Sequence, residues 1–284
     1  MSGIILALRI LLPIGYAVMV LIFGEIFFRP GAAASKVRRA LPLVLGVLIA
    51  HAAYIGLSTV RDGHCLVASI FELSSLIAFT LLAIYAFVEL RVSRDASGTA
   101  FLVAVVAFIF QLTSSLFGSD TAPAELAPIL KDPVFNIHVT TAVFGYAALS
   151  LSMIYGSLYL VLFRSMRRNE FGAVFEHLPS LDRLERYGIR ATAVGFVFLT
   201  ISIALGGLLL DKTQGASTAR GLVFDPKILA TILVWLVFGT TLVIRRIAKI
   251  EGRKLVLFWM YGFVLTIVSM TVVNAFVTSF HNFL

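Results

Sequence analysis

The sequence predicts an all-α polytopic membrane bundle of about eight helices, with both termini on the non-cytoplasmic side. Three observations predict it. Hydrophobic residues make up 60% of the 284 and charged residues only 13%, more apolar surface than a soluble domain of this length can bury. The apolar residues form unbroken runs of about 20, the length a helix needs to cross a bilayer. The loops between those runs alternate in charge. A spanning backbone must pair its own polar groups, which restricts it to helices or a closed barrel. The short alternating segments of a barrel are missing.

In chain order the predicted spans are residues 4–28, 41–60, 67–90, 99–117, 137–163, 190–210, 228–245 and 255–280. The first is read as a retained span, because no small-residue cleavage pattern follows it, with a removed signal peptide as the alternative. Residues 119–136 form an outer loop in which Pro123, Pro128 and Pro133 surround Leu126, Ile129 and Leu130, a pattern for a short interfacial helix. Residues 211–227 form a second outer loop. The cytoplasmic loop 164–189 carries a short amphipathic stretch that Ser180 can cap. Before the seventh span, Asp225-Pro226 is an N-cap followed by proline at the first helical position.

Charge sets the orientation. Arg29, Lys36, Arg38 and Arg39 follow the first span, and Arg91 and Arg94 the third. Arg164, Arg167, Arg168, Arg183, Arg186 and Arg190 separate the fifth from the sixth. Arg245, Arg246, Lys249, Arg253 and Lys254 separate the seventh from the eighth. The alternate loops hold only Arg61, Lys131, Lys212, Arg220 and Lys227. The positive-inside rule therefore places both ends outside. The net charge of +8 is a topology signal and not a nucleic-acid footprint. The single cysteine, Cys65, excludes an intrachain disulfide framework and a Cys-based metal cluster.

An ionisable side chain inside a span costs about 2.5–3.5 kcal/mol on insertion scales, so each needs a reason. His51 falls in the middle of the second span. His138 opens the fifth, and His281 closes the eighth at the same outer depth; His64 lies in an outer loop and only His177 in a cytoplasmic one. Two neutral imidazoles from different helices at one depth can clamp a haem iron; single interfacial histidines also serve simply by hydrogen-bonding headgroups or carbonyls. Asn274, seven residues before His281, and Tyr146, eight beyond His138, share the faces of those histidines. Arg9, near the outer end of the first span, either snorkels to the interface or pairs with Glu72 or an acidic ligand group. Gly145, Gly156, Ser150 and Ser152 in the fifth span, and Gly206 and Gly207 in the sixth, suit close helix packing. No phosphate loop, zinc-protease helix or nucleophile elbow is present in the sequence.

Several stretches resemble the cytochrome c assembly protein family, the group with CcsA, CcmC and HemX-type proteins, and most closely its eight-span HemX/YpjD-like branch. They are Leu48-Ile-Ala-His51, Phe71-Glu72-Leu-Ser-Ser-Leu, and His138-Val followed by Gly145-Tyr146-Ala-Ala-Leu. Leu178-Pro-Ser-Leu-Asp-Arg-Leu, Phe224-Asp225-Pro-Lys227 leading to Trp235, and Asn274-Ala-Phe-Val-Thr-Ser-Phe-His281 complete the series. The resemblance implies non-covalently bound haem b at the outer face, His138 and His281 as iron ligands, and 211–227 as the loop between them. His51 resembles an additional intramembrane histidine. The candidate cofactor-binding set is thus His138, His281, His51, Asn274, Tyr146, Asp225 and Arg9. The match departs in the loop. The family's version is rich in tryptophan and ends Asp-Pro-Lys-Glu, whereas Ile228 follows Lys227 here and 211–227 contains no Trp.

Three functional classes follow. The leading one is a haem-handling protein of the cytochrome c assembly type in a bacterial inner membrane, without catalysis of its own. It would work with other membrane or periplasmic proteins. The others are a b-type electron-transfer subunit and a haem-free scaffold or regulatory subunit that keeps the fold. The topology is open to a direct check. Alkaline phosphatase fused after Arg94, Arg168 or Ile250 is predicted to be inactive and after Gly118 or Leu284 active; the opposite pattern would reverse the orientation.

Overall fold

The computed structural model describes residues 2–28, 33–62, 69–89, 97–118, 132–169, 175, 178–213 and 226–276. Eight long helices occur among them: α1 (Ser2–Phe28), α2 (Ala33–Asp62), α3 (Ile70–Glu89), α4 (Ser97–Phe117), α5 (Pro133–Arg167), α6 (Leu181–Thr213), α7 (Pro226–Val243) and α8 (Arg253–Phe276). The first seven contain stretches long and apolar enough to cross a membrane. Side chains of α8 are described only as far as Val268. The chain is a multi-pass membrane protein.

The observed helix ends differ from the hydropathy limits for local reasons. The fifth helix begins at Pro133, four residues before the apolar run, because Asp132 caps it. The Asp132 carboxylate accepts from the Val134 N–H at 2.7 Å, and proline at the first helical position loses no bond it would have made. The sixth helix runs unbroken from Leu181, so the amphipathic stretch after Ser180 is its first turns and not a separate element. Hydropathy follows the depth of the hydrocarbon, whereas a cap marks where the backbone starts to turn. Asp225, His64, His177, His281 and residues 119–131 and 214–225 lie outside the described residues.

Two four-helix groups make up the bundle. In one, α1 packs on α2 and α4, and α3 on α2 and α4; in the other, α5 packs on α6 and α8, and α7 on α6 and α8. Contacts of α3 with α5 and α6 join them. Large apolar side chains such as Leu21, Ile49 and Val197 point outward, as expected where lipid tails are the solvent.

The seam between α5 and α6 is the tightest. A Cβ on Gly195 would stand 2.8 Å from the Leu149 side chain and 3.0 Å from the Gly145 carbonyl oxygen, and one on Gly145 2.8 Å from Leu199. Further along, Gly156 and Gly188 give way to the fully buried Trp259 of α8, whose ring lies 2.7 and 2.6 Å from their would-be Cβ atoms. The Ser152 hydroxyl, buried in the same seam, bonds to the Gly188 carbonyl at 3.1 Å and Thr192 Oγ1 at 2.8 Å. Small residues let backbones approach, and hydroxyls then bridge them. Ser150 instead bonds back to the Tyr146 carbonyl of its own helix at 2.8 Å.

Overpacking such a seam costs about 1–3 kcal/mol. Gly195→Val is therefore predicted to lower the thermal midpoint in detergent, while Gly56→Ala, whose Cβ meets nothing within 4 Å, is neutral or stabilising by up to about 1 kcal/mol. Equal midpoints for the two variants would refute the close-packed seam.

Candidate functional site

The two described candidate histidines, His51 and His138, stand in different helix groups. His51, fully buried in α2, has both ring nitrogens engaged. Nδ1 lies 3.0 Å from the Tyr16 hydroxyl of α1 and Nε2 lies 2.8 Å from Ser75 Oγ of α3. Ser75 donates to Gln111 Oε1 of α4 at 3.1 Å, and Gln111 Nε2 donates to Ser115 Oγ at 3.1 Å. The directions are linked. Because the Ser75 proton goes to Gln111, its oxygen accepts the His51 Nε2–H, and Nδ1 in turn accepts from Tyr16. Four helices thus contribute to a one-way chain of donors.

The chain leads toward Arg9. Its Nε donates to the Ser115 carbonyl at 3.1 Å and its Nη2 to the Gly118 carbonyl. Those oxygens belong to the end of α4, where helical carbonyls have no partner of their own. Arg9 therefore closes the C-terminus of α4. A bond between membrane helices contributes on average about 0.6 kcal/mol, so the chain gives modest stability and a strong register.

His138 stands in the other group. Its Nδ1 donates to the Ser202 carbonyl of α6 at 2.8 Å, and Ser202 Oγ donates to the His138 carbonyl at 3.1 Å. An Nδ1–H donor in a neutral ring leaves Nε2 with a lone pair, and that atom has no hydrogen-bond partner among the described residues. The ring rests against Gly206, where a Cβ would lie 3.1 Å from Cε1. Gly207, in contrast, has nothing within 4 Å, so only the first of the two glycines serves close approach.

Tyr146, two turns along α5, does not join His138. Its hydroxyl lies 3.3 Å from Thr231 Oγ1 of α7. Trp235 of α7 donates to Thr200 Oγ1 at 2.8 Å and stacks on Phe196 with centroids 5.1 Å apart, an interhelical role. Asn274 lies in α8 with its side chain outside the described set, and His281 lies beyond it. Phe79 of α3 lies 5.4 Å from the His51 ring, and Phe144 of α5 lies 6.3 Å from Phe79.

Sequence reasoning missed Tyr16, Ser75, Gln111 and Ser202. Gln111 carried a usable signal, being an amide in the interior of an apolar run. Ser202 carried none, because the partner that matters most is its backbone carbonyl, which every residue has.

Residues 67–281 match the Cytochrome C assembly protein family. The chain is 28% identical over 228 residues to Protein HemX of Brevibacillus brevis, with 79% of each chain covered. It is 25% identical over 252 residues to the cytochrome c biogenesis protein CcsA of Chlorella vulgaris, again with 79% of each covered. Protein HemX of Bacillus subtilis (strain 168) is 24% identical over 153 residues, 54% of each. The family match takes in α3 to α8 with His138, while His51, Tyr16 and Arg9 precede it. A multi-pass helical bundle, the ordered motifs from Phe71 to His281 and a match over most of its length lead to one conclusion: this chain belongs to the cytochrome c assembly protein family.

Proposed function

We propose that the protein binds haem b near the non-cytoplasmic face of a bacterial inner membrane and takes part in cytochrome c assembly without covalent catalysis of its own. His138, through Nε2, and His281 would hold its iron. The observation that carries this reading is the 2.8 Å bond from His138 Nδ1 to the Ser202 carbonyl. A histidine that ligates metal almost always donates its other ring N–H to a carbonyl or carboxylate, which selects the tautomer and orients the ring. Ligand and orienting group sit on the two most closely packed helices.

Bound haem would supply an iron centre that neutral imidazoles can ligate. This chain's residues would hold it. Ser202 keeps the His138 lone pair available, and Gly206 leaves room for the ring beside α6. The CcsA relative is named for cytochrome c biogenesis, and the proposal extends that role to this chain. Partners would be other membrane or periplasmic assembly proteins. The electron-transfer alternative, in which His51 is an iron ligand, is weakened because both its nitrogens are already bonded.

The optical spectrum of protein purified from haem-replete cells tests the reading. A b-type Soret band is expected, lost in His138→Ala and in His281→Ala and kept in His51→Gln. Ser202→Ala is expected to keep it too, because the orienting carbonyl remains, while Gly206→Val displaces the ring and weakens it. A colourless wild-type protein would overturn the proposal and leave the scaffold role. A band that survives His138→Ala but not His51→Gln would move the ligand to α2.

A further inference from the structure

At the basic end of the second helix group, α5 ends beside the start of α8, and a cleft of about 350 Å³ opens between them. Leu160, Phe163, Arg164, Arg167, Arg168, Arg253 and Leu257 line it. Four of the seven are arginines and none is acidic. The carboxylates described nearby are committed elsewhere. Asp182 pairs with Arg186, and Glu251 with Arg245. Glu185 pairs with Arg245 at 3.1 Å and accepts the Gly252 N–H at 2.6 Å. No ion pair holds any of the four cleft arginines among the described residues.

Helix polarity adds to the charge. Arg164 and Arg167 in the last turn of α5 suit the negative end of its dipole, but Arg253 and Lys254 open α8 with no acid in the first turn. A helix N-terminus already carries partial positive charge and favours anions. Arg253 is also anchored, with its guanidinium carbon 5.6 Å above the Phe163 ring centroid. Stacking uses the face of a guanidinium and none of its five in-plane N–H donors. The cleft therefore gathers oriented donors that lack an acceptor.

We propose that this cleft binds the headgroup phosphate of an anionic phospholipid. The remaining walls select a lipid over a soluble phosphate. Leu160, Phe163 and Leu257 line the cleft beside the arginines, so it has an apolar wall as well as a cationic one. An acyl glycerol can lie along that wall, whereas a small anion gains nothing from it. Basic pockets between membrane helices on the cytoplasmic side suit such headgroups, and the positive-inside reading of the loops puts the cleft on that side.

Native mass spectrometry of the delipidated full chain, titrated separately with phosphatidylglycerol, phosphatidylcholine and glycerol phosphate, tests the site. Phosphatidylglycerol is expected to bind about tenfold or more tighter than phosphatidylcholine, as the charge-dependent attraction requires, and glycerol phosphate is expected not to displace it. The combined variant R164Q/R167Q/R168Q/R253Q is expected to erase that preference. R246Q/K249Q, at the same end but outside the cleft, is expected to keep it. Should the fourfold variant not fold, R167Q/R168Q, both exposed, is expected to reduce the preference in part. Equal binding of the two lipids, undiminished selectivity in the arginine variants, or displacement by glycerol phosphate would each overturn the proposal.

Discussion

The approach of α5 to α6 underlies the arrangement of the second helix group. Glycines at 145 and 195 face side chains of the opposing helix that leave no space for a Cβ, and Ser152 bonds across the gap to the Gly188 carbonyl. Between lipid-immersed helices there is little hydrophobic driving force, because lipid tails are as apolar as leucine; association rests on close packing and interhelical hydrogen bonds. The seam supplies both. Its geometry sets where the start of α5 meets the end of α6, and so places the His138 ring against Gly206 and within reach of the Ser202 carbonyl.

His51 and His138 show how partners decide what an imidazole can do. Each lies within a spanning helix, where an unsatisfied polar atom is costly. The His51 ring meets that demand by spending both nitrogens, on Tyr16 and Ser75, and the result is a cross-brace among α1, α2, α3 and α4. One nitrogen of His138 goes to a main-chain oxygen and the other stays available. The first arrangement fixes helix register; the second leaves one ring nitrogen with its lone pair, oriented by the bond the other makes. The same residue type carries both, and only its neighbours distinguish them.

The opposite end of the second group follows another logic. There α7 passes through a π-helical turn at Ile244–Ala248, Lys249 adopts a left-handed conformation and Gly252 has φ of +70° before α8 begins. Glu185 reaches across from α6 to the Gly252 N–H, tying the turn to the bundle. That tie occupies Arg245 and the local carboxylates, and it leaves the arginines of α5 and α8 facing a cleft without counter-charge. The tight turn and the basic cleft are two results of one distribution of charge.

The helical class, the number of long apolar elements and their order were legible in the amino-acid sequence, because burial in lipid leaves an unmistakable run of apolar residues. His51 and His138 stood out for the same reason, as polar groups in places that penalise them. The start at Pro133 was less visible, since capping does not follow hydropathy, and so was the continuity of the helix after Ser180 with the sixth span. Four residues, Gly206, Gly207, Ser150 and Ser152, looked alike as small packing residues; only the packed structure separated Gly206, which makes room for the imidazole ring, from Gly207, which touches nothing. It also separated Ser152, which bonds across helices, from Ser150, which bonds to its own. Composition determined that the chain lives in a bilayer and which residues pay a penalty there. The tertiary structure decided how each penalty is met, because a hydrogen bond depends on which atoms of distant helices come within 3 Å of one another, and no local pattern encodes that.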